Sequence, residues 1–454
     1  MSKLSLLQKN AYINILIKDN GIWVHLAYTD FNASREYILS DYTDLNALKF
    51  LLDDNVFSKE FWYQYFNNLE KTFNWDIIDK DKSSIFTFRP FTKEGDGVSG
   101  VRVQIDDNQK FFDKILASVR EFSNDVALRV IDDNYMFSVL DGISSRINAD
   151  DLMYIDMDLY DFSIFRITTD YEKGKPTGKK IYTKSKMSWK DQIQLIDSIK
   201  DNRFEAFLST DLTEKALINI WANFVIDKPL TVKDQNLLDI LRSYSTIQNF
   251  SIYRDNKKKI TGFGKEYTNS AMIIAGGIAR ILGKSKVLMT IIDGFELIGN
   301  FDCYFDNDLR ILAYGKSYSS GVDSTDIILT KKSILSPITK VVIPYTKSKT
   351  ANKILFSGTI ESVNIQKSDF YILSPQYTFV KIPTHQEKLL IEGKFRNGAK
   401  TFPLGETDLS YVSSPEINEL ESILFDCRTR PVVYGPDAYS NKIKLQSWIN
   451  DNQA

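Results

Sequence analysis

The sequence predicts an α/β body followed by a β-rich C-terminal module. Up to about residue 325, apolar residues alternate with period two in some segments and recur at three- and four-residue steps in others. From about 327 to 413, short strand-like pieces separated by turn residues dominate. The length bounds the architecture: 454 residues exceed what one core uses, so two or three packing units are expected. With 43% hydrophobic and 13% aromatic residues, there is material to fill them, and wholesale disorder is excluded.

The first element is a β-hairpin over residues 13–28. Ile13, Ile15 and Ile17 alternate around Asn14 and Leu16, and Asn20-Gly21 supplies the positive-φ pair of a type I′ turn. A short helix follows through Leu48, Leu51 and Leu52, and a second through Phe112, Ile115, Leu116, Val119 and Phe122. Strand patterns return at 126–130 and at 154–167. Lys173-Gly-Lys-Pro-Thr-Gly-Lys-Lys180 reads as the turn leading to Ile181. Ser188 caps a helix whose buried stripe is Trp189, Ile193, Ile196 and Ile199, and helical patterns continue to about 247. Residues 271–275 form a buried strand running into Gly276-Gly277. The strands of the C-terminal module fall at 327–329, 341–345, 354–363, 371–382 and 389–391, and a helix over 442–449 closes the chain. No internal repeat is visible.

Composition removes several functions. Lys plus Arg number 57 and Asp plus Glu 59, so the net charge of −2 lacks the basic surplus that phosphate contacts need; nucleic acid is disfavoured as a partner. Two cysteines, Cys303 and Cys427, are too few for a disulfide framework and fit a reducing cytoplasm. His25 and His385 are too few for a zinc site of the usual kind, and no Ser–His–Asp or Cys–His set assembles. No signal peptide or transmembrane segment is read, so the expected location is cytoplasmic.

Gly277-Ile-Ala-Arg-Ile-Leu-Gly-Lys-Ser285 approaches a phosphate loop but has five residues, not four, before Gly-Lys-Ser. The reading preferred is strand, Gly-Gly turn and helix. The acidic pairs at 53–54, 106–107, 132–133 and 150–151 read as solvated turns. Lys257-Lys258-Lys259 reads as a turn facing water rather than an anion site, and His25 as an ordinary surface or half-buried strand residue.

Three segments in order carry a family likeness: a hairpin with Asp19 at its bend, a strand with Asp156, Asp158 and Asp161, and Ile273-Ile-Ala-Gly276-Gly277. Their order and spacing resemble the actin/Hsp70/sugar-kinase superfamily, in which two β-hairpins clasp nucleotide phosphates and metal and a Gly-Gly turn packs on adenosine. Within it, Ile291–Asn300 with Leu309–Gly315, Gly393–Gly405 and Phe425-Asp-Cys-Arg-Thr-Arg-Pro431 resemble the MutL/GlmL-like proteins found with cobalamin-dependent glutamate mutase. The resemblance covers roughly 270–315 and 389–450.

The resemblance implies a two-lobed actin-like (ribonuclease-H-like) ATPase fold, with a first lobe over 1–150, a second with the adenosine turn over 151–325, and the β-rich module over 326–454. It also implies a nucleotide site of Asp19, Gly21, Asp156, Asp158, Asp161, Gly276 and Gly277, with ATP and Mg as cofactor and Asp156 and Asp158 as metal ligands. The phosphate hairpins depart from the family pattern. Lys18-Asp-Asn-Gly-Ile-Trp23 lacks a hydroxyl residue, and Asp156-Met-Asp-Leu-Tyr-Asp161 lacks glycine and threonine. Backbone N–H groups reach phosphate only where no side chain blocks them, so the chain reads as a pseudo-ATPase or at most a weak ATPase. The function expected is a degenerate nucleotide-binding scaffold or reactivating factor for a protein partner. The alternative is a non-catalytic adaptor in a filament or other homo-oligomer, or in a peripheral envelope-linked assembly.

Overall fold

A computed structural model describes residues 11–18, 21–30, 35–44, 64, 68, 84–88, 94–96, 102–104, 127–130, 133–158, 161–172, 175–188, 195–208, 212–227, 234–260, 262–265, 267, 269–312, 335–346, 352–362, 365–381, 389–401, 408–413, 422–428, 430 and 443. The helices expected after Asp44 and around Phe112, and nearly all of that over 442–449, lie outside these residues.

The first sheet contains β1 (Ala11–Lys18), β2 (Gly21–Asp30), β3 (Arg35–Asp44) and β4 (Ser84–Phe88). A small ribbon of β5 (Glu94–Asp96) and β6 (Arg102–Gln104) precedes its last strand, β7 (Ala127–Val130). The order is β3-β2-β1-β4-β7; the hairpin strands are antiparallel, and β1, β4 and β7 run parallel. Helix α1 (Asp133–Arg146) then leads to β8 (Asp151–Met157), β9 (Asp161–Glu172) and β10 (Lys175–Ser188), an antiparallel meander. Among the described residues the helices that follow are α2 (Leu195–Ile199), α3 (Asn202–Ala206), α4 (Glu214–Asp227), α5 (Gln235–Asp255) and α6 (Lys257–Ile260). Next come β11 (Ser270–Ala275), α7 (Gly277–Leu282), α8 (Lys284–Gly294) and β12 (Gly299–Asp306).

β11 lies parallel to β8, and β12 parallel to β11, giving the order β10-β9-β8-β11-β12. This repeats the strand order and directions of the first sheet. The chain is therefore internally duplicated, which its sequence does not betray: strand pairing and apolar pattern recur without recurring residues. The two sheets give the fold its actin-like, ribonuclease-H-like form.

The remaining strands are β13 (Ser336–Ile343), β14 (Lys353–Ser362), β15 (Ile365–Ser374), β16 (Tyr377–Lys381), β17 (Leu389–Phe395), β18 (Asp408–Ser413) and β19 (Ser422–Asp426). β13, β19 and β16 extend the second sheet to eight strands, and β15-β14-β17-β18 form a separate antiparallel sheet. Val342, Ile423 and Phe425 of the large sheet share one apolar cluster with Phe356, Ile372 and Ile391 of the small one; Phe356 stacks on Phe425 at 4.7 Å.

A buried ionic network ties this C-terminal part to α8. Arg428 donates to Asp293 at 2.7 Å and to both carboxylate oxygens of Asp426 at 2.9 and 2.7 Å, and Arg430 reaches Asp426 at 2.6 Å. The two arginines hold the Asp426 carboxyl well below its ordinary range, although burial alone would raise it.

Both faces of the second sheet are buried. Met153, Ile155, Met272, Ile274, Phe301, Cys303 and Phe305 belong to a cluster with α5, α7 and α8. Leu152, Tyr154, Ala271, Ile273, Ala275 and Tyr304 join α1 and, from the first sheet, Leu16 and Trp23. Period-two side chains on strands covered on both sides produce this division. Trp23 is 1% exposed, so an indole fills the junction between the sheets.

Helix α5 is buried from Asp239 to Ile252 despite carrying Arg242, Ser243, Thr246, Gln248 and Asn249. Thr246 donates to the carbonyl of Arg242, and Asn249 to that of Thr290 on α8. The helices touch at Gly294, where a Cβ would stand 2.2 Å from that of Asn249.

Two local expectations change. The Lys173–Lys180 turn is mostly strand: β10 begins at Lys175, and the register shifts between Pro176 and Lys180. Ser188 ends that strand rather than capping a helix; Lys257–Lys259 face water as expected, as a turn of helix. Among the described residues no helix is long and apolar enough to cross a membrane.

Candidate functional site

Three parallel strands, β8, β11 and β12, end side by side. Their register sets Asp156, Ala275 and Asp306 abreast, so the backbones of the two aspartates stand about two strand spacings, roughly 10 Å, apart. Strand alternation places both on the face of Tyr154 and Tyr304, toward the first sheet. Asp156, Asp158 and Asp306 are all at most 2% exposed. The carboxyl ends of parallel strands are where open α/β sheets take ligands.

After β11 the chain turns at Gly276 with φ of 105°. A Cβ there would lie 2.4 Å from the carbonyl oxygen of Met157, so only glycine lets the turn seat against the end of β8. Gly277 opens α7, and its N–H donates to the Asp158 carboxylate. The start of that helix thus already holds an anion supplied by the β8 end.

Asp306 accepts the N–H groups of Arg310 at 2.7 Å and Ile311 at 3.0 Å. Burial lifts its carboxyl to about 7 despite these two donors, and the Asp308 charge pushes the same way. Asp308 pairs with Arg280 at 3.3 Å and Arg310 at 3.1 Å. Its carbonyl accepts His25 Nε2 at 2.6 Å, and Arg310 Nε reaches Ser40 Oγ at 3.3 Å. Both latter bonds come from the first sheet, so the loop after β12 is held by both halves of the duplication. His25 is fully buried, contrary to the reading as a surface or half-buried residue. Burial pushes its imidazole down to about 4, so the neutral ring donates through Nε2.

A cavity of about 340 Å³ opens beside this loop, lined by Arg280, Lys284, Phe305, Asp306, Asp308 and Arg310. That is the small end of the range for ligand pockets. Arginine planes on its wall suit stacking on a planar heterocycle.

Of the residues singled out in the sequence, Asp156, Asp158, Gly276 and Gly277 come together. Asp161 begins β9, its backbone opposite Ser188, and Gly21 begins β2 opposite Lys18. Asp19 lies outside the described residues. Asp306, Arg280 and Arg310 were not singled out, and His25 was read as an ordinary strand residue. The available signal was Asp306-Asn-Asp308 closing an apolar strand. Among the described residues no group of three or more His, Cys, Asp or Glu side chains could hold a metal ion.

No protein-family model matches the chain, and no curated protein matches it. Among solved structures it is similar to the ethanolamine utilization protein EutJ from Carboxydothermus hydrogenoformans. The identity is 12%, the match covers 68% of this chain and 90% of that one, and the TM-score is 0.35. It is similar to a non-polymerisable pCBH ParM mutant at 12% identity, over 69% and 99% of the two chains, with a TM-score of 0.33. A Bacteroides thetaiotaomicron protein with an actin-like ATPase fold and unknown function matches at 9% identity, over 69% and 98%, with a TM-score of 0.29. The fold assignment rests on the duplicated strand order, not on these overlaps.

Proposed function

We propose that the chain is an actin-like scaffold that takes a nucleotide at its nucleoside end and does not turn it over efficiently. The observation that supports this most is the assembly of Asp156, Asp158, Gly276 and Gly277 at one strand edge, beside a cavity whose loop is bonded to the first sheet. In this reading Arg280 and Arg310 hold the base and ribose region. A ligand touching that loop biases how the two halves pack, and a protein partner reads the change.

The nucleoside end fits a nucleotide. The triphosphate end does not: Asp156 and Asp158, buried at the end of β8, put carboxylates where the phosphates would lie, and Asp158 also takes the Gly277 N–H. No phosphoryl-transfer step is assigned, and Mg held by Asp156 and Asp158 would need water to complete its coordination. The MutL/GlmL-like branch, a reactivating role and a cytoplasmic location belong to this reading as well.

Heat-melting with and without Mg-ATP tests it. Ligand binding only the folded chain at 100–1,000 times its dissociation constant stabilises by roughly 3–4 kcal/mol. Arg280→Glu should abolish that shift. No shift in the wild-type chain overturns nucleotide binding and leaves the adaptor reading, which the Asp158–Gly277 contact favours. Sedimentation over a range of concentrations then shows whether the adaptor forms a filament.

A further inference from the structure

A second cavity, of about 320 Å³, lies among α3, the end of α5, α6 and the end of α8, and nothing in the proposed nucleotide site uses it. Its lining includes Arg203, Arg254 and Lys257 against Asp201 and Glu296, with Phe250 among the apolar residues. Three cations therefore face two carboxylates.

The charges differ in how firmly they are committed. Asp201 accepts both Arg203 Nε, at 2.8 Å, and Arg203 Nη2, at 2.5 Å, while the guanidinium lies 4.4 Å from the Phe250 ring centroid. That pair is a fixed wall. Burial works to raise the Asp201 carboxyl, yet the hydrogen bonds and charge of Arg203, together with Arg254, hold it below its ordinary value. Arg254 keeps a mostly exposed side chain near Asp255 at 3.4 Å. An exposed, adjacent partner of that kind binds weakly and exchanges with solvent.

Glu296 is the unusual member. It sits at the residue after the α8 C-cap with φ of 50°, where Leu297 N–H returns to Ile292 at 3.1 Å, a closure that ordinarily uses glycine. A glutamate in this left-handed position keeps a carboxylate at the cavity. Burial raises its carboxyl above the ordinary value, against the charges of Arg430, Lys257 and Arg203.

We propose that this cavity is a small-oxyanion site, in which a phosphate or carboxylate group is held by Arg254 and Lys257 and displaces Glu296 as the counter-charge of Lys257. Lys257, a solvated turn residue on its sequence alone, is here one arm of the clamp. The site is separate from the cavity beside Arg280, and the nucleotide reading can fail without affecting it.

Calorimetric titration of the full chain with inorganic phosphate, and in parallel with succinate, tests the assignment and distinguishes the two anion sources. Arg254→Glu and Lys257→Glu should each weaken binding about tenfold or more, and Glu296→Gln should strengthen it severalfold. Opposite effects from the two kinds of variant separate a binding role from a structural one, and unchanged melting temperatures show that the variants are folded. Absence of saturable binding by either anion overturns the proposal. So does binding that ignores all three substitutions, or that Mg-ATP or Arg280→Glu removes, since the anion would then occupy the other cavity.

Discussion

Replacing Arg428 with leucine should be among the most damaging single changes in this chain. The guanidinium is 1% exposed and lies between Asp293, also 1% exposed, and Asp426, fully buried. Asp426 retains Arg430 at 2.6 Å, but Asp293 loses its ion-pair partner inside the protein. Removing one partner of a buried pair costs about 3–5 kcal/mol, because the other charge stays desolvated. The stack on Tyr377, 4.8 Å from the ring centroid, is lost as well. For units of this size, the loss corresponds to a fall in melting temperature of about 10 °C. Urea denaturation and thermal melts followed by tryptophan fluorescence measure it. Adding Asp293→Leu should recover most of the loss, since both charges are then gone. A fall of under about 2 °C, or a double variant no better than the single, refutes the claim that this network anchors β19 to α8.

The other predictions concern the strand-edge site. Gly276→Ala should destabilise by about 2–3 kcal/mol or more, because a Cβ meets the Met157 backbone at a positive φ; a variant as stable as wild type in urea contradicts this. His25 is folded as a neutral ring at about 4 against its ordinary 6.5, so its stabilising contribution is whole above pH 6.5 and lost as pH falls toward 4. His25→Gln can keep a neutral donor to Asp308, and should flatten that part of the stability–pH curve; an unchanged curve places the pH dependence elsewhere. Asp306, raised to about 7, favours the folded state below its ordinary 3.8, and that contribution disappears as pH rises through 7. Carbon-13 NMR of its carboxyl should show a midpoint near 7, and a midpoint near 4 would show that the two N–H donors outweigh burial.

The sequence made the fold legible where chemistry and geometry coincide. Alternation around Ile13–Ile17 with Asn20-Gly21 gave β1 and β2, and Ala271–Ala275 running into two glycines gave β11 and its turn. The duplication stayed hidden because strand order and direction leave no residue signature. The buried length of α5 stayed hidden because Arg242, Ser243 and Asn249 are polar, and no residue pattern shows that Asn249 meets α8. At the site, Asp156 and Gly276 were found through motif order. Asp306 and His25 were not, since their meaning comes from which strand lies beside which, and from a bond between the two sheets. Lys175–Lys180 looked like a loop because Pro and Gly punctuate turns, yet an edge strand tolerates both.

The most direct test compares adenosine, ADP and Mg-ATP binding to the full chain by titration calorimetry. A site whose nucleoside end is built and whose phosphate end holds its own carboxylates binds all three within about tenfold of one another. Mg-ATP binding more than about a hundredfold tighter than adenosine, or no binding by any of the three, contradicts the account.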